Sequence, residues 1–265
     1  MTRIALGIEY DGSRFHGWQA QPGVRSVQGE LMRALSGIAD EPLRLQCAGR
    51  TDRGVHALGQ VVHFDTRARR EARAWLLGGN SRLPDDIAIT WVREVDETFH
   101  ARFSATARTY RYVIDLRPNR PALLRNQVAW HRWPLEVERM RRAARHLVGE
   151  HDFSAYRAAG CQARHAVRRI HHLEVSRQGR FVHIDIEANA FLHHMVRNIA
   201  GVLMEIGRGE RPESWTAELL ELRDRTAAGI TAPAAGLYLV SVTYPDRFRL
   251  PPVPRPPLFD VGDNF

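Results

Sequence analysis

Hydrophobic and polar residues alternate over several stretches of this chain, and each such stretch reads as a half-buried strand. From Arg3 to Tyr10 the apolar positions are Ile4, Leu6, Ile8 and Tyr10. Further strands are expected at Leu43–Ala48, Gln60–Thr66, Ile87–Val95, Arg108–Leu116, Val128–Trp133 and Leu237–Tyr244. In Arg108–Leu116 the residues Tyr110, Tyr112 and Ile114 share one face and Arg111 points the other way. Val167–Arg177 and Arg180–Ala188 flank Gln178-Gly179, a hairpin signal. A three-to-four residue spacing predicts helices instead. One starts after Ser26, a suitable N-cap, with Val27, Leu31, Leu35 and Ile38 inward. Another covers Glu136–Val148 with Met140, Ala144 and Leu147 inward, and a third covers Leu192–Ile206. An arginine-rich helix over Arg69–Leu77 is expected to stop at Gly78-Gly79-Asn80, and Pro212 to open a last helix in its first turn.

Both halves thus combine several strands with two or more helices, an α+β arrangement. The expected division is an N-terminal domain over 1–105, a C-terminal domain over 106–247 and a proline-rich tail over 248–265. No apolar run approaches the length of a membrane span, and the first strand occupies the place of a signal peptide. The two cysteines, Cys47 and Cys161, have neither metal-type spacing nor a disulfide framework. A soluble, cytoplasmic protein without a membrane partner is expected.

Charge narrows the partner. The formal net charge is +8, which points to a polyanion, nucleic acid first. All 38 basic residues are arginine. Arginine suits bidentate phosphate contact and base stacking, while a genome rich in arginine codons accounts for the missing lysines equally well. Between Asp11 and Arg25, Phe15 and Trp18 suit either stacking on a splayed base or pinning the loop to the core.

The candidate chemistry lies between Cys47 and Thr66. There Asp52 stands between Arg50 and Arg53, and Gly54 supplies a tight turn. A carboxylate among cations stays ionised and serves as a nucleophile or ion-pair partner; an aspartate before glycine also commonly bonds its own turn. His193 and His194, expected on a helix, and His171 and His172, expected on a strand, would point to different faces. No metal site is therefore expected.

Gly49-Arg50-Thr51-Asp52-Arg53-Gly54-Val55-His56 with Gly59-Gln60-Val61-Val62 resembles the signature loop of the TruA family of tRNA pseudouridine synthases. Tyr10-Asp11-Gly12, Phe99-His100-Ala101-Arg102-Phe103, Tyr110-Arg111-Tyr112, His193 to Asn198 and Gly236 to Leu239 resemble the same family in the same order. The likeness runs from Ile4 to about Tyr244. It departs at Arg53, where many members carry a small residue.

The resemblance implies the pseudouridine synthase fold, with two α/β domains, each a mainly antiparallel sheet with helices on one face, sharing a basic cleft. It implies isomerisation of uridine in the anticodon arm of tRNA, on the 3′ side of the stem-loop, by a homodimer without cofactor or metal. Asp52 matches the family's nucleophile, Tyr110 its active-site tyrosine, Arg197 the basic partner of the aspartate and Leu237 an apolar residue lining the pocket. Arg50 would hold Asp52 and a neighbouring phosphate. The other reading of the same residues is a noncatalytic tRNA-binding or tRNA-folding protein. A binder, however, has no use for a nucleophile.

Overall fold

The computed structural model of the chain describes residues 1–252, so the expected tail lies largely outside the described residues. The chain divides into two compact units. One comprises Met1–Arg108 with the segment returning from Tyr238, and the other comprises Thr109–Leu237.

In the first unit β1 (Thr2–Tyr10) lies between β3 (His56–Thr66) and β4 (Ile87–Val95), antiparallel to both. The returning strand β10 (Leu237–Thr243) pairs parallel with β3 through Tyr238 opposite His56. Leu6, Ile8, Val62 and Phe64 are buried, as their alternation requires. Each such side chain contributes about 1.5–3 kcal/mol when fully removed from water. Helix α1 (Val27–Ala39) begins where expected, because the Ser26 hydroxyl accepts the Gly29 N–H at 3.3 Å. It ends at Asp40, whose φ of 56° is a left-handed conformation that a short polar residue tolerates.

Three expectations change here. The strand predicted at Leu43–Ala48 shrinks to β2 (Gln46–Cys47), the part that finds β3 as a partner. β3 itself starts four residues earlier than the alternation indicated, at His56. The arginine-rich helix does not stop at the glycines. Helical backbone covers 72–80 with a π-helical centre at Ala74–Gly78. Gly79 is there for proximity: a Cβ on it would stand 2.4 Å from Ile89 Cδ1.

The second unit is built on the strand order β5-β9-β8-β7, with β6 beside β5. β5 is Ala107–Leu116, β6 Ala129–His131, β7 Gly149–Asp152, β8 Val167–Gln178 and β9 Phe181–Ala188. β8 and β9 form the expected antiparallel hairpin, with Gly179 at φ 55° in its turn. Val182, Ile184, Ile186 and Ala188 are all buried. Three helices, α2 (Val137–Arg145), α3 (Met195–Gly207) and α4 (Trp215–Leu222), accompany this sheet. Met140, Ala144 and Leu147 are buried as their spacing required. Pro212 lies ahead of α4, accepting the Trp215 N–H on its carbonyl, and does not occupy the first turn. The architecture is α+β with mainly antiparallel pairing, as expected.

Candidate active site

The loop that carries Asp52 is fixed from three directions, and the sequence explains each of them. β3 runs out of the loop, and Gln60 on it is fully buried. Its Nε2 donates to the Gly49 carbonyl at 2.6 Å, and its Oε1 accepts the Gly49 N–H at 3.4 Å. From β1, the Tyr10 hydroxyl meets Thr51 Oγ1 at 2.7 Å in a buried bond. From the loop after β1, the Trp18 N–H donates to the Thr51 carbonyl at 3.0 Å. Arg108 adds a bond from Nη2 to the Ala48 carbonyl at 3.1 Å. The residues leading up to Asp52 are thus tied down while Asp52 itself is half-buried.

Two glycines let the segments meet. Gly17 has φ 90°, and a Cβ there would lie 2.8 Å from the Thr51 carbonyl oxygen. A Cβ on Gly12 would lie 2.0 Å from the Val55 carbonyl oxygen, which no side chain permits. On the far side of the loop the Val55 N–H donates to the Asp52 carbonyl at 3.1 Å, and Gly54 turns the chain at φ 79°.

Beyond Val55 the buried His56 ring stacks on Tyr238, centroids 4.7 Å apart at 19°. Its Nδ1 lies 3.2 Å from the Gly12 nitrogen and 3.1 Å from Asp11 Oδ1. The His56 ring, with Ser13 adding its backbone N–H and hydroxyl, holds the Asp11 carboxyl far below the usual carboxylate range. At the near end of the loop, burial pushes the Cys47 thiol up to about 12, against the opposing pull of Arg50 and Arg102. A thiol so raised is no nucleophile at neutral pH.

Phe15 and Trp18 are buried. Of the two roles left open for them, the structure supports pinning the loop: Trp18 sits 6.1 Å from the Tyr10 ring, and Arg25 lies over Phe15 at 4.2 Å. Arg50 and Arg53 are both exposed on the loop itself.

In the second unit, Tyr110 on β5 is 9% exposed and meets Phe191 edge-on at 5.0 Å. Arg197, in the first turn of α3, donates from Nε to the Ala232 carbonyl at 2.8 Å, and its own carbonyl accepts the Ala232 N–H at 3.1 Å. Asn198 reinforces this link. Its Nδ2 donates to the Tyr156 carbonyl, and its Oδ1 accepts from Thr231 at 2.7 Å and Arg225 at 3.2 Å. Leu237 opens β10 and is buried. Arg50 and Asp52 therefore share one loop of the first unit, whereas Tyr110, Arg197 and Leu237 belong to the second.

The histidine geometry differs from expectation. His194 has φ 60° and precedes α3, so the helical spacing that would separate the two rings does not apply. The His193 and His194 rings lie 4.0 Å apart at 40°. His171 falls where the β8–β9 register shifts between Ile170 and His172, so strict alternation does not hold there either, and both rings are exposed.

Tyr10, Gln60, Arg108 and Asn198 were not singled out for a role by sequence reasoning. The signal present was a polar group among apolar strand or helix neighbours, which burial obliges to find a partner.

A fold of two α+β units with a carboxylate loop held rigid by buried polar contacts is the setting for comparison with known proteins. The family model described as tRNA pseudouridine synthase matches residues 7–104 and 143–245. Among curated proteins, the chain is 59% identical over 253 residues to tRNA pseudouridine synthase A of Hydrogenovibrio crunogenus, covering 96% of this chain and 97% of that one. It is 58% identical over 257 residues to the protein of that name from Shewanella piezotolerans, covering 97% and 98%. The Escherichia fergusonii protein of that name is 59% identical, with 97% and 95% covered. The chain belongs to the tRNA pseudouridine synthase family.

Proposed function

We propose that this protein isomerises uridine to pseudouridine in the anticodon arm of tRNA, with Asp52 as nucleophile, and works as a cytoplasmic homodimer. The reaction breaks the bond from C1′ of the ribose to N1 of uracil, turns the base, and joins C1′ to C5; the C5 proton then leaves. Atoms and electrons balance within the substrate, so no redox partner is required.

One observation carries the reading of Asp52. The buried contacts of Gln60, Tyr10 and Trp18 fix Gly49 and Thr51 while the carboxylate between them and the turn stays half-buried. A turn aspartate needs no such support; a nucleophile that must arrive in one geometry does. Family membership supplies the substrate class, and the resemblance supplies the partners. Tyr110 stacks on the extruded uracil and takes the C5 proton through its hydroxyl, Arg197 pairs with Asp52, Leu237 lines the uracil pocket, and Arg50 steadies Asp52 and a phosphate. The noncatalytic reading has no observation of its own in its favour.

The test is release of tritium from tRNA labelled at C5 of uridine, comparing the wild type with Asp52→Asn. The substitution keeps the size of the side chain and is well suited to a turn. Turnover is expected to fall by about a thousand-fold or more with fold and tRNA affinity retained. An Asn variant near wild-type rate removes Asp52 from the chemistry.

A further inference from the structure

On the first unit, the segment 99–104 presents an aromatic ring to solvent on a rigid base. Phe103 is 76% exposed. The ring of His100 lies 4.4 Å from it at 34°, and the Arg102 guanidinium stands over it at 5.5 Å. His100 is not free to leave, since its Nδ1 accepts the N–H groups of Arg102 at 3.1 Å and Phe103 at 3.2 Å. Beneath, Phe99 is wholly buried against Tyr244 and Phe248, and the Tyr244 hydroxyl donates to the Ala101 carbonyl at 2.6 Å. His63 holds the same turn by accepting the Ala101 N–H at 3.1 Å.

This turn is joined to the loop of Asp52. Arg108 donates from one nitrogen, Nη2, to the Arg102 carbonyl at 2.7 Å and to the Ala48 carbonyl at 3.1 Å. The charged residues of 99–108 are Arg102 and Arg108, with no carboxylate between them.

We infer that Phe103, steadied by His100 and Arg102, is a stacking platform for an unpaired base of the substrate RNA next to the uridine that Asp52 attacks. An aromatic face beside guanidinium groups suits a nucleobase with its phosphate, because every base has a π face and its backbone is anionic. An apolar protein surface would gain nothing from the arginines. The inference rests on the tRNA reading proposed above. It goes beyond that reading by assigning a contact with a base other than the target uridine, made by a residue to which that reading gives no role.

Phe103 is exposed, so truncating it leaves the fold intact. Phe103→Ala is expected to weaken binding of an unmodified tRNA transcript about ten-fold, equivalent to about 1.4 kcal/mol. The salt dependence of binding should stay as in the wild type, because no phosphate contact has gone. The kinetic loss should fall on kcat/KM more than on kcat. Phe103→Trp should restore affinity, and the added indole emission, read as a difference from wild type, should be quenched when tRNA is added.

Wild-type affinity in the Ala variant overturns the platform. So does an indole already shielded without RNA, or a change in sedimentation with Phe103→Ala, either of which would assign the ring to a protein contact. These arms read binding, so they decide the platform separately from the function. If the wild type itself forms no pseudouridine, the proposed activity fails while the binding comparison still stands.

Discussion

Gln60 offers the sharpest test of the idea that the Asp52 loop is positioned from beneath. Its fully buried amide donates to the Gly49 carbonyl at 2.6 Å, a strong bond, and accepts the Gly49 N–H at 3.4 Å, a weak one. Gln60→Leu keeps the volume close and removes both. A net hydrogen bond contributes about 0.5–1.5 kcal/mol, and an orphaned buried carbonyl costs about 1–3 kcal/mol more. Gly49 is only half-buried, so water relieves part of the second cost, and the total should be about 2 kcal/mol. Against a usual stability of about 5–15 kcal/mol the variant remains folded. With a urea slope of about 1–3 kcal/mol per molar, its midpoint should drop by about 1 M. Asp52 lies on the loop that Gly49 opens, and a shift of an ångström there should cost about ten- to a hundred-fold in kcat/KM for tRNA. Gln60→Glu sharpens the test. It keeps the acceptor for the Gly49 N–H but sets a carboxylate oxygen against the Gly49 carbonyl, so activity should improve as pH falls and the buried acid takes a proton. A Gln60→Leu protein with an unmoved urea midpoint and wild-type kcat/KM would refute the reasoning, because the loop would then hold its place without support.

For Tyr110→Phe, turnover should fall about a hundred-fold while tRNA affinity changes little, if the hydroxyl takes the C5 proton; single-turnover rates with tritium-labelled tRNA decide, and an unchanged rate reduces Tyr110 to a stacking platform. Affinity for tRNA should decline along a straight line in log salt, since arginine contacts displace counterions; filter binding across a salt series that gives a flat line would remove the basic surface from recognition. Burial, helped by the nearby positive charges of His100 and Arg3, pushes the pKa of His63 down to about 4. The unfolded chain, with an ordinary value of about 6.5, therefore binds more protons between those two values. Stability from this residue is complete above about pH 6.5 and is lost as pH falls toward 4. Urea midpoints measured across that window should decline with acid, and less so in His63→Gln.

Much of the strand layout was legible because alternation is a local property and needs no knowledge of the partner. β1, β4, β5 and the β8–β9 hairpin fall within a residue or two of their predicted ranges. β7, Gly149–Asp152, was not legible: the residues Gly-Glu-His-Asp carry no alternation, and only pairing with β8 makes them a strand. The same cause, acting in reverse, shortened the predicted Leu43–Ala48 to the two residues that reach β3. Gly79 misled because a glycine at a close approach, here to Ile89, is indistinguishable in sequence from one that ends a helix.

The candidate site divides along the same line. A motif such as Arg50 to Gly54 is contiguous, so the position of Asp52 could be read directly, and so could the resemblance that gives it a role. The contacts that fix the loop are separated along the chain: Tyr10 and Thr51 are 41 positions apart, Gly49 and Gln60 are 11 apart, and Ala48 and Arg108 are 60 apart. Periodicity reports burial of a strand face and is silent on which backbone group a buried amide or guanidinium will meet. Asn198 illustrates the limit. On α3 it looks like one polar residue in an apolar run, yet it joins the Tyr156 carbonyl to Thr231 and Arg225, and so sets the segment that Arg197 also grips. Chemistry-bearing residues in this chain are thus legible where they are local, and the polar residues that hold them in place become legible only with the fold. For that reason loss of a supporting residue such as Gln60 or Asn198 should reduce activity by displacing the groups that react, leaving their protonation and their charge as they were.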